Sequence, residues 1–509
     1  MRNPREKVKT LDELERIVRG LKDEGKTVVH CHGEFDLMHP GHIKHFEAAK
    51  AQGDILAVTL TPDNYIVKGP GRPAFTQDIR AETIASLECV DFVAINEWPT
   101  AEETLKKLKP DVYVKGSEYK RREGDVTGRI AKEEEVIKDL GGRLHLTEEI
   151  TFSSTALLNR YMPVYPEEAG EYLDEARKRF DGEAIIDALN GLADMKVLVI
   201  GEAIVDEYHY VSALGQASKN NILSYQYLSE ESFAGGALAA ANHVADFCGD
   251  VTLMTCLGKK DPKEEFIRSC LKPNINTRLF YRDDACTIVK RRFVEKFFLD
   301  KIFEVSFLEQ AQLLDANEKE VLEVLEPLAG GFDLVIAADF GHGFLTPKIV
   351  ELMADSARFL AVNTQTNSAN RGFNMVTKYH RADYVCIDEP EIRLATRNRF
   401  GKIEELIRNV SEKLVCDMIT ITRGVHGTVT YGKKDGFTYV PVFSKKVVDT
   451  TGAGDAVLSI TSLCAAAGLP MDTIGFIGNA VGAMAVQVVC NRDPIEKMPL
   501  CKFVRALLK

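Results

Sequence analysis

Apolar residues in the first 150 positions fall into two rhythms. Between 11 and 24 they recur at Leu11, Leu14, Ile17, Val18 and Leu21, a spacing that marks one face of an amphipathic helix, with Thr10 or Asp12 as its cap. Short apolar runs follow at 27–32, 55–60, 91–95, 111–115 and 143–147, separated by helical patterns near 42–52, 77–88, 101–108 and 131–140. Strands that alternate with helices predict βαβ units and a parallel, doubly wound sheet. The rhythm breaks at Met162-Pro163-Val164-Tyr165-Pro166, and a charged helical stretch over 167–192 reads as an ordered connector, because Tyr172, Ile185, Ile186 and Leu189 keep an apolar face. A second α/β region opens at Lys196-Val197-Leu198-Val199-Ile200-Gly201. Its β-prone pieces at 222–228, 277–281 and 286–294 predict a small appended sheet, and its runs at 334–338, 359–362, 384–387 and 418–422 predict buried parallel strands. Two small-residue helices, 453–468 and 472–489, close the pattern. The expected fold class is α/β with two doubly wound domains, 1–160 and 195–509, joined by a helical connector at 161–194.

Composition narrows the partners. A chain of 509 residues exceeds one core. Its net charge of −12 argues against nucleic acid or an anionic membrane as main partner. The eleven cysteines show no C-x-x-C pair and no metal-ligand rhythm, which points to a reducing cytoplasm. The opening Met1-Arg2-Asn3-Pro4-Arg5 lacks the apolar region of a signal peptide, and no run reaches bilayer-spanning length.

The first region carries its candidate chemistry at Gly33-Glu34-Phe35-Asp36-Leu37-Met38-His39-Pro40-Gly41-His42. A glycine turn ends a strand and Pro40 fits a first helical turn. His39 and His42, three residues apart, share one side of a helix N-terminus whose unpaired N–H groups attract anions. Lys68 and Arg72 lie in a glycine-bearing loop with Gly69 and Gly71, Arg80 opens the next helix, Lys115-Gly116 leaves the fourth strand, and Ser153-Ser154-Thr155 precede a last short helix. These motifs, in this order over 26–160, resemble the cytidylyltransferase-like nucleotidyltransferases, most closely the adenylyltransferase half of the bifunctional heptose 7-phosphate kinase/heptose 1-phosphate adenylyltransferases. The resemblance implies a Rossmann-like domain in which His39 and His42 stabilise a triphosphate and Lys68 and Lys115 neutralise it. It also implies that Ser153, Ser154 and Thr155 bind phosphates, and that Gly33, Phe35, Asp36 and Arg80 complete the nucleotide site. Asp36 and Asp63 are its candidates to orient Mg²⁺ or ribose. The implied chemistry is in-line attack by a sugar phosphate on the α-phosphorus of a nucleoside triphosphate, driven by positioning and charge neutralisation. Glu34 departs from the family, which has a small or apolar residue there. Class I aminoacyl-tRNA synthetases share a similar histidine pair, but their lysine-serine loop has no counterpart here.

In the second region Asp449-Thr450-Thr451-Gly452-Ala453-Gly454-Asp455-Ala456 joins a strand-like run to a small-residue helix. N–H groups at a glycine-rich helix start form an anion hole, and Asp455 stands ready to take a proton from an attacking hydroxyl, the combination γ-phosphoryl transfer needs. The octet resembles the second signature of the ribokinase-like (phosphofructokinase B-type) carbohydrate kinases, with supporting pieces over 196–495. By that resemblance Asp206, Gly235 and Gly236 bind the sugar, and Asp388-x-x-Glu391 organises Mg²⁺ and phosphates. Thr422, Gly424 and Gly427 form the nucleotide-side turn, together with Thr450, Gly452, Ala453 and Gly454. Asp339 follows a buried strand, as in the family. Glu202 stands where aspartate is usual, and Ala239 and Ala240 stand where asparagine is expected, leaving the later Asn242 as the substrate-side amide. Thr287, Lys290 and Arg292 resemble the start of a phosphate-contacting strand whose continuation is absent at 295–301. The domain order is opposite to that of the familiar heptose enzymes, which carry the kinase first.

The resulting expectation is a bifunctional enzyme: a kinase acting on a sugar or sugar phosphate with ATP and Mg²⁺, and a nucleotidyltransferase making a nucleotide-activated sugar of the ADP-heptose kind for surface glycan. Two alternatives stay open. One is a CTP-dependent transferase making a CDP-polyol or CDP-sugar beside a kinase of separate substrate; the other is a kinase-like half that binds sugar without catalysis. A homo-oligomer, a dimer, is expected through the small sheet.

Overall fold

The computed structural model describes residues 3–66, 68–116, 129–147 and 165–509, so Ser153, Ser154 and Thr155 lie outside the described residues. The chain divides into two compact units, Met1–Val164 with Cys501–Leu507 and Lys509, and Tyr165–Leu500 with Leu508. The connector forms two helices, Glu167–Arg179 and Gly182–Asn190, the second capped by Asp181.

The first unit holds strands β1 (Val8–Lys9), β2 (Val28–Gly33), β3 (Ile55–Leu60), β4 (Phe92–Ile95), β5 (Val112–Lys115) and β6 (Arg143–Leu146) in the order β1-β4-β3-β2-β5-β6. Every neighbouring pair is parallel. The five expected runs are β2 to β6; β1, two residues long, is too short to show a period. The helix Leu11–Asp23 begins in a capping box, Thr10 accepting from Glu13 N and Glu13 from Thr10 N. Sequence order reverses on either side of β2, and open α/β sheets bind ligands at such a switch point. β2 is central yet carries His30 and His32. Both are buried because Thr59 Oγ1 lies 2.8 Å from His30 Nε2 and 2.9 Å from His32 Nδ1, so the rings keep a partner. Burial pushes both imidazoles down to about 3, and they stay neutral.

The second unit holds β7 (Lys196–Gly201), β8 (Ala203–Gln216), β9 (Leu223–Gly236), β10 (Asp250–Gly258), β11 (Ile275–Arg282), β12 (Ile288–Glu295), β13 (Lys301–Phe307), β14 (Leu334–Asp339), β15 (Leu360–Thr364), β16 (Tyr384–Asp388), β17 (Met418–Thr422), β18 (Thr428–Gly432) and β19 (Gly436–Val440). Nine of them form the main sheet, β11-β10-β7-β14-β15-β16-β17-β18-β19, and four form a small one, β13-β12-β8-β9. The main sheet is parallel as far as β17 and ends in an antiparallel hairpin. One expectation is corrected: the piece at 277–281 belongs to β11, the edge of the main sheet, where β10 pairs with it in parallel along its whole length. β-propensity alone does not say which sheet a strand joins. The switch point lies between β7 and β14. There the buried Glu202 carboxylate accepts N–H bonds from Phe340 (3.0 Å) and His342 (2.9 Å), tying the two strand ends together. Its raised pKa of about 7 comes from burial and from the Asp339 carboxylate.

Candidate functional site

In the first unit the β2 turn delivers the histidine pair. Gly33 leaves room for the Phe35 ring, which would stand 2.8 Å from a Cβ at that position. His39 caps the helix Pro40–Lys50, its Nδ1 accepting the His42 N–H at 3.3 Å. The two imidazoles stack with centroids 3.8 Å apart. Burial, and then His39, push His42 down to about 3. Asp36 accepts from Arg72 (3.1 Å) and from Ala74 N (2.7 Å), fixing the loop that holds the cations. Lys68 pairs with Glu34, the family departure. Lys115 reaches Glu133 at 3.2 Å and the His32 carbonyl at 3.4 Å. Arg80 is 1% exposed, and its guanidinium donates to Phe75 O (3.1 Å), Thr61 O (2.9 Å), Asp63 Oδ1 (2.6 Å) and the Glu34 carbonyl. Asp63 is its counter-ion.

In the second unit a cavity of about 1630 Å³ runs from Asp388 and Glu391 past Thr422 to Gly452 and Asp455. Gly452 has φ +83°, and a Cβ there would meet Asn491 Oδ1 at 1.9 Å. Only glycine makes that turn while Asn491 stays packed against it. The helix Ala453–Ala466 starts one residue later, so the N–H groups of Gly454 and Asp455 have no helical acceptor. The Thr451 N–H is already bound to Asp449 Oδ1 at 2.9 Å, which limits the cradle to the residues after it. Burial and the Asp206 carboxylate push Asp455 up to about 7, while Lys290 acts the other way. Gly424 (φ +54°) and Gly427 (φ +75°) shape the turn after Thr422, and a Cβ on Gly427 would meet Val440 O at 2.0 Å.

Asp388 and Glu391 form a capping box on the helix Glu389–Ala395. Asp388 Oδ1 accepts Glu391 N and Glu391 Oε2 accepts Asp388 N, both at 2.8 Å. Thr366 N takes the other Glu391 oxygen at 2.8 Å. Burial and Asp388 then raise Glu391 to about 8. Asp388 lines the cavity with only its Oδ1 in the capping box, while both oxygens of Glu391 are engaged. Among the described residues no group of three His, Cys, Asp or Glu could hold a metal by itself.

On the acceptor side Gly235 lets Asp206 lie against the backbone: a Cβ would meet its Oδ2 at 2.1 Å. Arg292 pairs with Asp206 and, at 2.9 Å, with Glu304; Lys290 lies 5.9 Å above the Phe340 ring. Asn242 lies in the helix Ala237–Ala245. Its Nδ2 donates to Cys270 O (2.9 Å) and its Oδ1 accepts Lys272 N (3.0 Å), so the amide holds the single segment 270–272. Sequence reasoning missed Asn363, Gln365 and Arg371 on the cavity wall. Their signal was a polar run that begins in the last residues of the β15 strand and continues past it.

These features define an α/β protein with an anion-receptive turn at the carboxyl end of a parallel strand in one unit and a glycine cradle in the other. The pfkB family carbohydrate kinase model matches residues 194–498, more than half of the chain, and the chain belongs to that family. A cytidylyltransferase-like model matches 30–159. The bifunctional protein HldE of Aliarcobacter butzleri is 40% identical over 144 residues, 28% of this chain and 30% of that protein. The HldE of Geobacter sulfurreducens is 37% identical over 165 residues, 32% of each. The chain thus spans about three tenths of the length of the curated relatives it matches. Phosphofructokinase-2 from Escherichia coli, solved with substrates and products, superposes with a TM-score of 0.50 at 12% identity, covering 62% of this chain and all of that one. That likeness shows the fold alone. No helix among the described residues is long and apolar enough to cross a membrane.

Proposed function

We propose that the chain is a bifunctional enzyme. The second unit phosphorylates a sugar or sugar phosphate from ATP, and the first joins a sugar phosphate to a nucleotide with release of pyrophosphate, giving an activated sugar of the ADP-heptose kind for surface glycan. The observation that carries this reading is the setting of Asp455. One carboxylate stands at the first turn of the cradle helix and feels both Asp206 and Lys290 of the small sheet, so the nucleotide and acceptor sides meet at one proton acceptor.

In the kinase step the Asp455 carboxylate takes the proton of the acceptor hydroxyl, and the unpaired N–H groups of Gly454 and Asp455 face the charge on the transferring phosphoryl group. Mg²⁺, when bound with the nucleotide, supplies further charge neutralisation; Asp388 fits a hydrated ion that needs one carboxylate, with Glu391 orienting it. In the transferase step His39 and His42 donate to the triphosphate, and Lys68 and Lys115 offset its charge. Residues 1–160 and 195–509 are the proposed catalytic regions, with 161–194 joining them.

ATP is the proposed nucleotide for the kinase, with ATP or CTP for the transferase. No nucleic acid or membrane is required. A cytoplasmic setting agrees with eleven cysteines that form no disulfide among the described residues. A homodimer would cover the small-sheet residues Leu214 and Leu223, 65% and 67% exposed. A panel of sugars, sugar phosphates and polyols incubated with ATP or CTP and read by mass spectrometry tests the proposal. The expected outcome is a phosphorylated sugar with ATP and a nucleotide-sugar with release of pyrophosphate. Absence of both products across the panel removes it, and a CDP-polyol selects the uncoupled pair of activities.

A further inference from the structure

The glycine cradle is not anchored by its own helix alone. Asp449, at its start, is 7% exposed and accepts four donors: Thr451 N (2.9 Å), Cys490 N (3.1 Å), Tyr208 Oη (2.7 Å) and Lys301 Nζ (2.6 Å). The first two hold the turn and the segment behind it. The other two come from β8 and β13 of the small sheet. Lys301 also donates to Thr451 Oγ1, and Tyr208 Oη lies 3.2 Å from the same hydroxyl. The Tyr208 ring has the Arg292 guanidinium 6.0 Å and the Lys301 ammonium 5.7 Å from its centroid. Arg292 in turn pairs with Asp206 and Glu304. A continuous set of contacts therefore runs from Asp206 through Arg292, Tyr208 and Lys301 to Asp449 and Thr451.

We propose that Lys301 is a positioning residue, which fixes the phosphate cradle only while the small sheet is seated and so couples engagement of the acceptor to binding of the nucleotide phosphates. The physical reason is the cost of a buried carboxylate without a cation. If the sheet lifts, Asp449 loses its ammonium and a hydroxyl together, and the turn must relax to solvate it. An acceptor that engages Asp206 or Arg292 acts on the sheet that carries Lys301, and such coupling is reciprocal. The catalytic part of the inference rests on the kinase reading; the mechanical part does not.

The test uses the full chain with Lys301→Met, Lys301→Arg and Tyr208→Phe. Amide hydrogen exchange over 449–455 and calorimetric binding of a non-hydrolysable ATP analogue probe the cradle without turnover. Lys301→Met should speed exchange and weaken the analogue by roughly tenfold each, the size expected when a buried charge-assisted contact is lost. With an acceptor found in the sugar panel, that acceptor should tighten analogue binding in the parent chain and not in Lys301→Met, whose kcat should fall about 30- to 100-fold. Lys301→Arg should restore most of the loss, and Tyr208→Phe, which keeps the ion pair, should give a smaller change in the same direction. Exchange and analogue affinity both unchanged in Lys301→Met overturn the inference, as does a loss confined to acceptor KM. If Lys301→Met does not fold, an unaltered cradle in Tyr208→Phe overturns it. If no sugar is phosphorylated, the kinase reading fails, yet exchange and analogue binding still decide the role of Lys301.

Discussion

At the residue scale Asp455 and Glu34 show how environment sets what a carboxylate does. With its pKa pushed up to about 7 by burial and Asp206, Asp455 is half protonated near neutrality. A base must be unprotonated to act, so kcat/KM for phosphoryl transfer should rise with pH through about 7 and level off above it. Lys290 lowers the same group, and Lys290→Met should move the midpoint upward. Asp455→Asn should cut kcat by roughly a thousandfold or more while ATP affinity stays within a few-fold, measured by coupled assay and calorimetry. Glu34 sits against Lys68 and is held below its usual range: burial raises it, but the ammonium outweighs that. Glu34→Gln should release that ammonium to the triphosphate, lowering the nucleotide KM of the transferase by about three- to tenfold with kcat little changed. An unchanged KM would show that Lys68 does not meet the nucleotide.

At the element scale the glycine turns and helix starts were the most legible parts, because short-range geometry determines them. The helix at Pro40–Lys50 begins where the proline and His39 said it would. The Asp388-x-x-Glu391 spacing is a capping box in its own right, so the motif serves the helix before it serves a ligand. Gly452→Ala tests the cradle. Its φ of +83° and the nearby Asn491 oxygen leave no relaxed place for a methyl group. Stability should drop by about 1–3 kcal/mol in urea titrations, and ATP binding should weaken at least tenfold, by the cost of a side chain at positive φ. Gly427→Ala meets a backbone carbonyl, which cannot swing aside, and should be the more destabilising of the two.

At the scale of the whole molecule the two units respond differently to acid. His30, His32 and His42 are pushed down to about 3 and His45 to about 4, chiefly by burial. An unfolded histidine titrates near 6.5, so below that pH the unfolded first unit binds more protons than the folded one and stability falls as pH falls. In the second unit Glu202, Glu391 and Asp455 are raised to about 7, 8 and 7, which works in the opposite direction, since stability there declines as pH rises. His243 and His342, lowered to about 4, offset part of that. Trp98 is the only tryptophan and packs against the Leu11, Leu14 and Val18 cluster of the first unit. The urea midpoint read by its fluorescence should therefore fall steadily from pH 6.5 to 4.5, while the far-ultraviolet transition of the remainder moves much less. Equal shifts in both signals would refute this assignment.

The chain's own pattern determined the two parallel sheets, the alternation of strand and helix, and both anion-receptive turns. Parallel strands buried on both faces must be nearly continuous apolar runs, and the turn at Gly452, with φ +83° and Asn491 against it, has no room for a Cβ. What it did not determine was partnership at long range. Whether 277–281 joined the main or the small sheet, which oxygens the Arg80 guanidinium met, and which backbone the Asn242 amide bonded all depended on residues distant in sequence. Lys301 and Asp449 are 148 positions apart, and no local spacing links them. Their meeting is a consequence of how the small sheet lies on its own unit, because side-chain charges pair by proximity in space and not by order along the chain.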